Sequence, residues 1–142
     1  MWVCVHALSG LSLGTLAPLG VALTVICALA LHLLLDLVPH WDYTRHRHRT
    51  LWASLDVAVS IAAVAALALL LDLPSRAVLA AVVSSLPDLD VFDAVLPGAA
   101  RRRLFPSHWR SFPHGEAHPA FGIPVQVVVA FGSVIAVLAS ST

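Results

Sequence analysis

A bundle of membrane-spanning helices is the fold this sequence predicts, and three features predict it. Of 142 residues, 59% are hydrophobic and 11% are charged, where a soluble domain carries about a quarter. The mean hydropathy is +0.89. The apolar residues collect in stretches of about 20, the helix length that crosses a ~30 Å hydrocarbon core. So few charges could not cover a water-soluble surface, which excludes disorder and ordinary soluble enzymes. Formal net charge is zero, so no nucleic-acid partner is expected. The expected class is all-α: one membrane-embedded domain over residues 1–142, a polytopic helix bundle with four long spans plus a short N-terminal helix.

The elements follow in order. Residues 2–16 form a weaker apolar piece, interrupted by Gly10 and Gly14 and closed by Pro18. It reads as a short tilted or interfacial helix. Its small residues Ser9, Gly10, Ser12 and Gly14 permit close packing against a neighbour. The long spans are expected at about residues 19–38, 51–71, 78–96 and 121–138. Residues 39–50 (PHWDYTRHRHRT) are strongly polar, and residues 72–76 (DLPSR) form a tight turn. Residues 97–119 are long, basic and rich in Pro and His; a loop of that length in a small protein is more often functional than a linker. Cys4 and Cys27 lie in apolar segments and read as packing residues.

Orientation follows from arginine. With the spans alternating in direction, the loops after Val38 and Leu96 share one side. They hold Arg45, Arg47, Arg49, Arg101, Arg102, Arg103 and Arg110, whereas the other side holds Arg76 alone. The positive-inside rule makes the long basic loops cytoplasmic, in an integral membrane protein. The RHRHR run from Arg45 reads as a topology anchor touching anionic lipid headgroups, with substrate phosphate as the alternative.

Ionisable groups at membrane depth cost roughly 2.5–3.5 kcal/mol each on insertion scales, so they are functional candidates. His32 and Asp36 (HLLLD) share one helix face one turn apart. Pro39 then stops the helix before His40, Trp41 and Asp42. Asp56 lies in the second span. Asp88, Asp90 and Asp93 flank a break expected at Pro87. His108, His114 and His118 precede the last span, and His6 lies in the N-terminal piece. Helices of alternating direction bring all eight His and every acid except Asp72 toward one membrane face.

Mixed imidazole and carboxylate ligands suit a divalent metal, Zn²⁺ or Mn²⁺ foremost. Such an ion, alone or paired, activates water for ester cleavage, and neighbouring arginines suit phosphate. The His32–Asp36 pair reads as metal-binding or catalytic, or else as a buried structural pair. Glu116, the only Glu, and Asp90 are candidates to shuttle a proton, although Glu116 equally reads as an ordinary loop residue. Arg110, beside the late His residues, is the candidate contact to substrate phosphate. Asp42 and Asp56 are expected to orient ligands, Asp42 through His40. His46 and His48 sit among arginines, which disfavour a cation.

HALSGLSLG from His6, HLLLDLVPHWDY from His32, SLPDLDVF from Ser85 and SHWRSFPHGE from Ser107 together resemble the bacterial membrane-bound metal-dependent hydrolases. These are small inner-membrane proteins with an early Thr-His, an internal Pro-Asp-hydrophobic-Asp and a late His-rich element. Here Val5 takes the place of that Thr. The late element appears as His108-Trp109-Arg110 and Pro113-His114-Gly115. The resemblance implies metal ligation by His6, His32, Asp36, His40, Asp88, His108 and His114. The expected function is hydrolysis of a lipid-linked or phosphate-bearing ester at the cytoplasmic face, with a phospholipid or lipid phosphate as substrate. The alternatives are a membrane protein that binds or moves a metal ion or proton without catalysis, and a structural membrane subunit.

Overall fold

The computed structural model describes residues 1–89 and 103–141. Among these the chain is all-helical: α1 (Val3–Leu16), α2 (Val21–Leu37), α3 (Arg49–Leu70), α4 (Ser75–Ser85) and α5 (Pro119–Ser140). Short 3-10 turns cover Tyr43–Arg45, Leu86–Asp88 and Pro106–His108.

The four expected long spans are corrected to two. Among the described residues only α3 and α5, of 22 residues each and mean hydropathy 2.2, are long and apolar enough to cross a membrane. Each is about 33 Å long at 1.5 Å per residue. The span expected at 19–38 yields a 17-residue helix. Pro18 and Gly20 hold its start back, and Val38 is extended before Pro39, as the residue preceding a proline prefers. The span expected at 78–96 yields an 11-residue helix that gives way to the 3-10 turn holding Pro87. Pro87 brings no N–H to continue the α-helical ladder. Asp90, Asp93 and the rest of that expected span lie outside the described residues.

The N-terminal piece is neither peripheral nor interfacial: α1 is the buried centre. Its sequence is apolar on every side except at His6 and a few small polar residues, the pattern of a helix packed all round. It contacts all four other described helices, α4 most of all. The small residues make this approach possible. A Cβ on Gly10 would lie 2.8 Å from Ser84 Cβ, and one on Gly14 would lie 2.6 Å from Ala77 Cα. Leu11, Ala77, Ala81 and Val137 form one apolar core there, and Ala28, Ala80 and Val83 a second on the α2 side.

The outer faces are apolar. Val21, Leu23 and Ile26 on α2, Ile61, Leu69 and Leu70 on α3, and Val128, Phe131 and Ile135 on α5 are all exposed. Apolar surface exposed on this scale marks contact with a membrane or with another protein.

Two connections position the site. After α2, His40 N donates to Gly115 O (2.7 Å), Ala117 N to His40 O (2.7 Å) and Gly115 N to Asp36 O (2.8 Å). The segment before α5 is thus bonded, backbone to backbone, to the end of α2. Gly122 lets α5 lie against this strip, since a Cβ there would meet the backbone of His40 and Trp41.

Candidate metal centre

Five side chains meet at one end of the bundle. α1 supplies His6 and α2 supplies His32 and Asp36. The turn after α4 supplies Asp88, and the turn at Pro106–His108 supplies His108. Their spacing is tight. His6 Nε2 lies 3.3 Å from Asp36 Oδ1 and 3.8 Å from Asp88 Oδ2. His32 Nε2 is 3.1 Å from Asp36 Oδ2, and His108 Nε2 is 3.6 Å from both Asp36 Oδ2 and Asp88 Oδ1. The His6 and His32 rings stack with centroids 3.9 Å apart. His6, His32 and Asp36 are fully buried, and Asp88 nearly so. Asp36 Oδ1 also accepts from the Met1 amino group at 3.2 Å.

His32 has its tautomer set by its partner. Nδ1 is 2.7 Å from Ser84 O. A carbonyl only accepts, so Nδ1 carries the proton and Nε2 turns a lone pair toward Asp36. Two acceptors therefore face each other at 3.1 Å. The same lack of partners runs through the cluster. His6 Nδ1 and Nε2, His32 Nε2, Asp36 Oδ2 and Asp88 Oδ2 are buried without a hydrogen bond. Each such group costs about 1–3 kcal/mol, so a cluster of them is expensive unless a cation satisfies it. The donor set fits a metal ion: imidazole nitrogens and carboxylate oxygens lie within 4.8 Å of one another in His6–His32–Asp36 and again in His32–Asp88–His108.

A second group adjoins the first through Asp36. Asp36, His40 and His114 each offer a ligand atom within 4.8 Å of the others. His40 Nδ1 donates to Val38 O at 2.8 Å, which leaves Nε2 as the acceptor, 3.0 Å from His114 Nε2. Burial pushes His40 down to about 4 and lowers His114 as well, so both rings are neutral at pH 7. A neutral imidazole is the form that ligates.

A cleft of about 300 Å³ opens onto these groups, with Asp88, His108 and His114 in its wall. Arg45, Arg103 and Glu116 also line it. Glu116 Oε1 pairs with Arg45 Nη1 at 3.0 Å and is part-exposed.

The structure gathers His6, His32, Asp36, His40, Asp88, His108 and His114, from four separate stretches of chain. It leaves other expected residues apart. Arg110 is exposed and does not line the cleft, where Arg45 and Arg103 stand instead. Asp42 accepts from Thr44 N at 2.7 Å and so caps the turn at Tyr43–Arg45, while the backbone of Val38 orients His40. His46 and His48, which were not expected among the ligands, are exposed. His118 caps α5, its ring accepting from Ala120 N.

Asp56 acts one step removed from the ligands. Its carboxylate accepts from Val3 N (2.8 Å), Cys4 N (2.9 Å) and Tyr43 OH (2.9 Å). It therefore caps α1 just ahead of His6, where the helix N-terminus favours negative charge. Burial and this carboxylate raise the Tyr43 phenol, which stays a protonated donor. Gln126, unread in the sequence, completes the cap. Its Oε1 accepts from Trp2 N (2.8 Å) and its Nε2 donates to Trp41 O (3.2 Å). A lone amide inside the apolar stretch 121–138 was the signal that could have found it.

Fold and site together define an all-helical bundle with two membrane-length helices and a buried His/Asp cluster able to hold a metal ion. Comparison with protein-family models, curated proteins and solved structures found no match.

Proposed function

We propose that this chain is a membrane-embedded, metal-dependent hydrolase acting on a phosphate-bearing or lipid-linked ester. One observation carries the reading: buried imidazole nitrogens and carboxylate oxygens of His6, His32, Asp36 and Asp88, from α1, α2 and the turn after α4, converge without hydrogen-bond partners, with His108 beside them. The resemblance of the HLLLDLVPHWDY and SLPDLDVF elements to bacterial membrane-bound metal-dependent hydrolases supports the same reading. His6, His32, Asp36, Asp88 and His108 would hold one ion, and Asp36, His40 and His114 a second; Zn²⁺ or Mn²⁺ suits these donors. When bound, such an ion polarises the ester oxygen and acidifies water.

The chain's own residues do the rest. Arg45 and Arg103 in the cleft wall suit an anionic phosphate, the guanidinium fork matching two of its oxygens. Glu116 at the cleft mouth accepts a proton and passes it to solvent, with Arg45 holding its carboxylate in place. Ser84 O and Val38 O keep His32 and His40 in their ligating tautomers. The arginine-rich side faces the cytoplasm of a bacterial cell, so the cleft opens there.

The test is the metal content of detergent-purified protein beside His32→Ala and Asp36→Ala. Stoichiometric Zn or Mn in the wild type, lost from both variants, is expected, together with metal-dependent cleavage of a phosphodiester panel. Wild type without bound metal overturns the reading. Metal without cleavage favours the non-catalytic metal-binding alternative.

A further inference from the structure

A second cavity of about 410 Å³ runs between α3 and α4, floored by Val3 and Ala7 of α1. Its walls are apolar: Val57, Ile61 and Val64 on one side, Val78, Ala81 and Val82 on the other. The two hydroxyls in its lining are turned back onto their own helices. Ser60 Oγ donates to Asp56 O at 2.6 Å and Ser85 Oγ to Ala81 O at 2.9 Å. Val3 is common to this groove and to the polar cleft. The junction is marked again where Leu89, in the groove, directly follows Asp88, in the cleft.

We propose that the groove binds one acyl chain of a phosphate-bearing lipid whose head enters the polar cleft. The inference rests on the cleft being the reactive site and names the substrate class for it. The two cavities have opposite chemistry and meet at one wall residue, which is the pattern an amphiphile matches. The groove follows α3, a membrane-length helix, from Val57 to Ala68, about 16 Å at 1.5 Å per residue. Its volume lies within the roughly 300–1,000 Å³ of small-molecule sites. Val82 and Ile61, exposed on its rim, leave it open sideways to a bilayer.

The experiment uses the full chain in phosphatidylcholine vesicles doped with phosphatidic acid carrying a diazirine midway along one acyl chain. After irradiation, labelled residues are mapped by mass spectrometry. Label on Val57, Ile61, Val64 and Ala81 is expected to exceed label on the exposed Val128, Phe131 and Ile135 of α5 roughly tenfold, about 1.4 kcal/mol of preference. At the wall residues Ala65 and Ala68, Ala65→Phe and Ala68→Phe, made separately, each fill the groove and remove that excess while leaving metal content unchanged. The same diazirine chain on diacylglycerol, which lacks the phosphate, labels the groove several-fold less. Even labelling of all outer faces overturns the inference, as does cross-linking of groove residues to a second copy. Equal labelling by diacylglycerol overturns the placement of the head. Groove labelling in protein without metal upholds the acyl site while overturning the hydrolase reading.

Discussion

At the scale of single residues, what distinguishes the site is the fixing of ring nitrogens by backbone carbonyls. His32 and His40 each spend Nδ1–H on a carbonyl, and each turns Nε2 toward a neighbouring ligand atom. The pairing of His32 with Asp36 was readable from i, i+4 spacing. The carbonyl of Ser84 was not, because its position depends on α4 lying against α2. Asp56 gives a prediction at this scale. Asp56→Ala removes the acceptor for two backbone N–H groups and the Tyr43 hydroxyl. The loss should be about 2–4 kcal/mol, several buried donors being left unpaired. It is read as a lower thermal midpoint in detergent. Tyr43→Phe removes one donor and keeps the carboxylate capped, so it should cost about 1 kcal/mol. A larger loss for Tyr43→Phe than for Asp56→Ala would refute the capping role.

At the scale of elements, α1 carries the fold. Its small residues announced a close contact in the sequence, and the contact is with α4. What could not be read was that this short piece sits at the centre, in contact with all four other described helices. Gly10→Ala places a methyl against Ser84, whose carbonyl holds His32. Overpacking of this kind costs about 1–3 kcal/mol, and it should weaken metal binding as well as lower the thermal midpoint. Gly132→Ala is the comparison. A Cβ there meets nothing within 4 Å, and replacing a mid-helix glycine stabilises by about 0.5–1 kcal/mol. Equal behaviour of the two variants would show that the α1–α4 contact does not support the site.

At the scale of the whole molecule, the cluster ties together α1, α2, the turn after α4 and the segment before α5. A bound ion would therefore stabilise the bundle as a unit. At a free concentration 100-fold above its dissociation constant it contributes about 2.7 kcal/mol. Chelation should lower the thermal midpoint of the wild type and leave His32→Ala unmoved. A chelator effect of equal size on both would place the ion elsewhere. The exposed apolar faces of α2, α3 and α5 belong to the same scale. Among the described residues two helices, not the four expected, are long and apolar enough to cross a membrane, since Pro18 and Gly20 shorten α2 and Pro87 ends α4.

Composition and periodicity by themselves determined that this chain is helical, apolar outside and polar at one end. Those properties are local: hydropathy of a stretch, a proline that stops it, an i, i+4 pair on one face. Tertiary structure decided which polar groups meet. It drew His108 and His114 to Asp36 by bonding residues 115–117 to the end of α2, and it placed Arg45 and Arg103 in the cleft in place of Arg110. These outcomes depend on contacts between residues some 75 positions apart, such as His40 and His114. Backbone pairing across that distance leaves no periodic trace in the sequence.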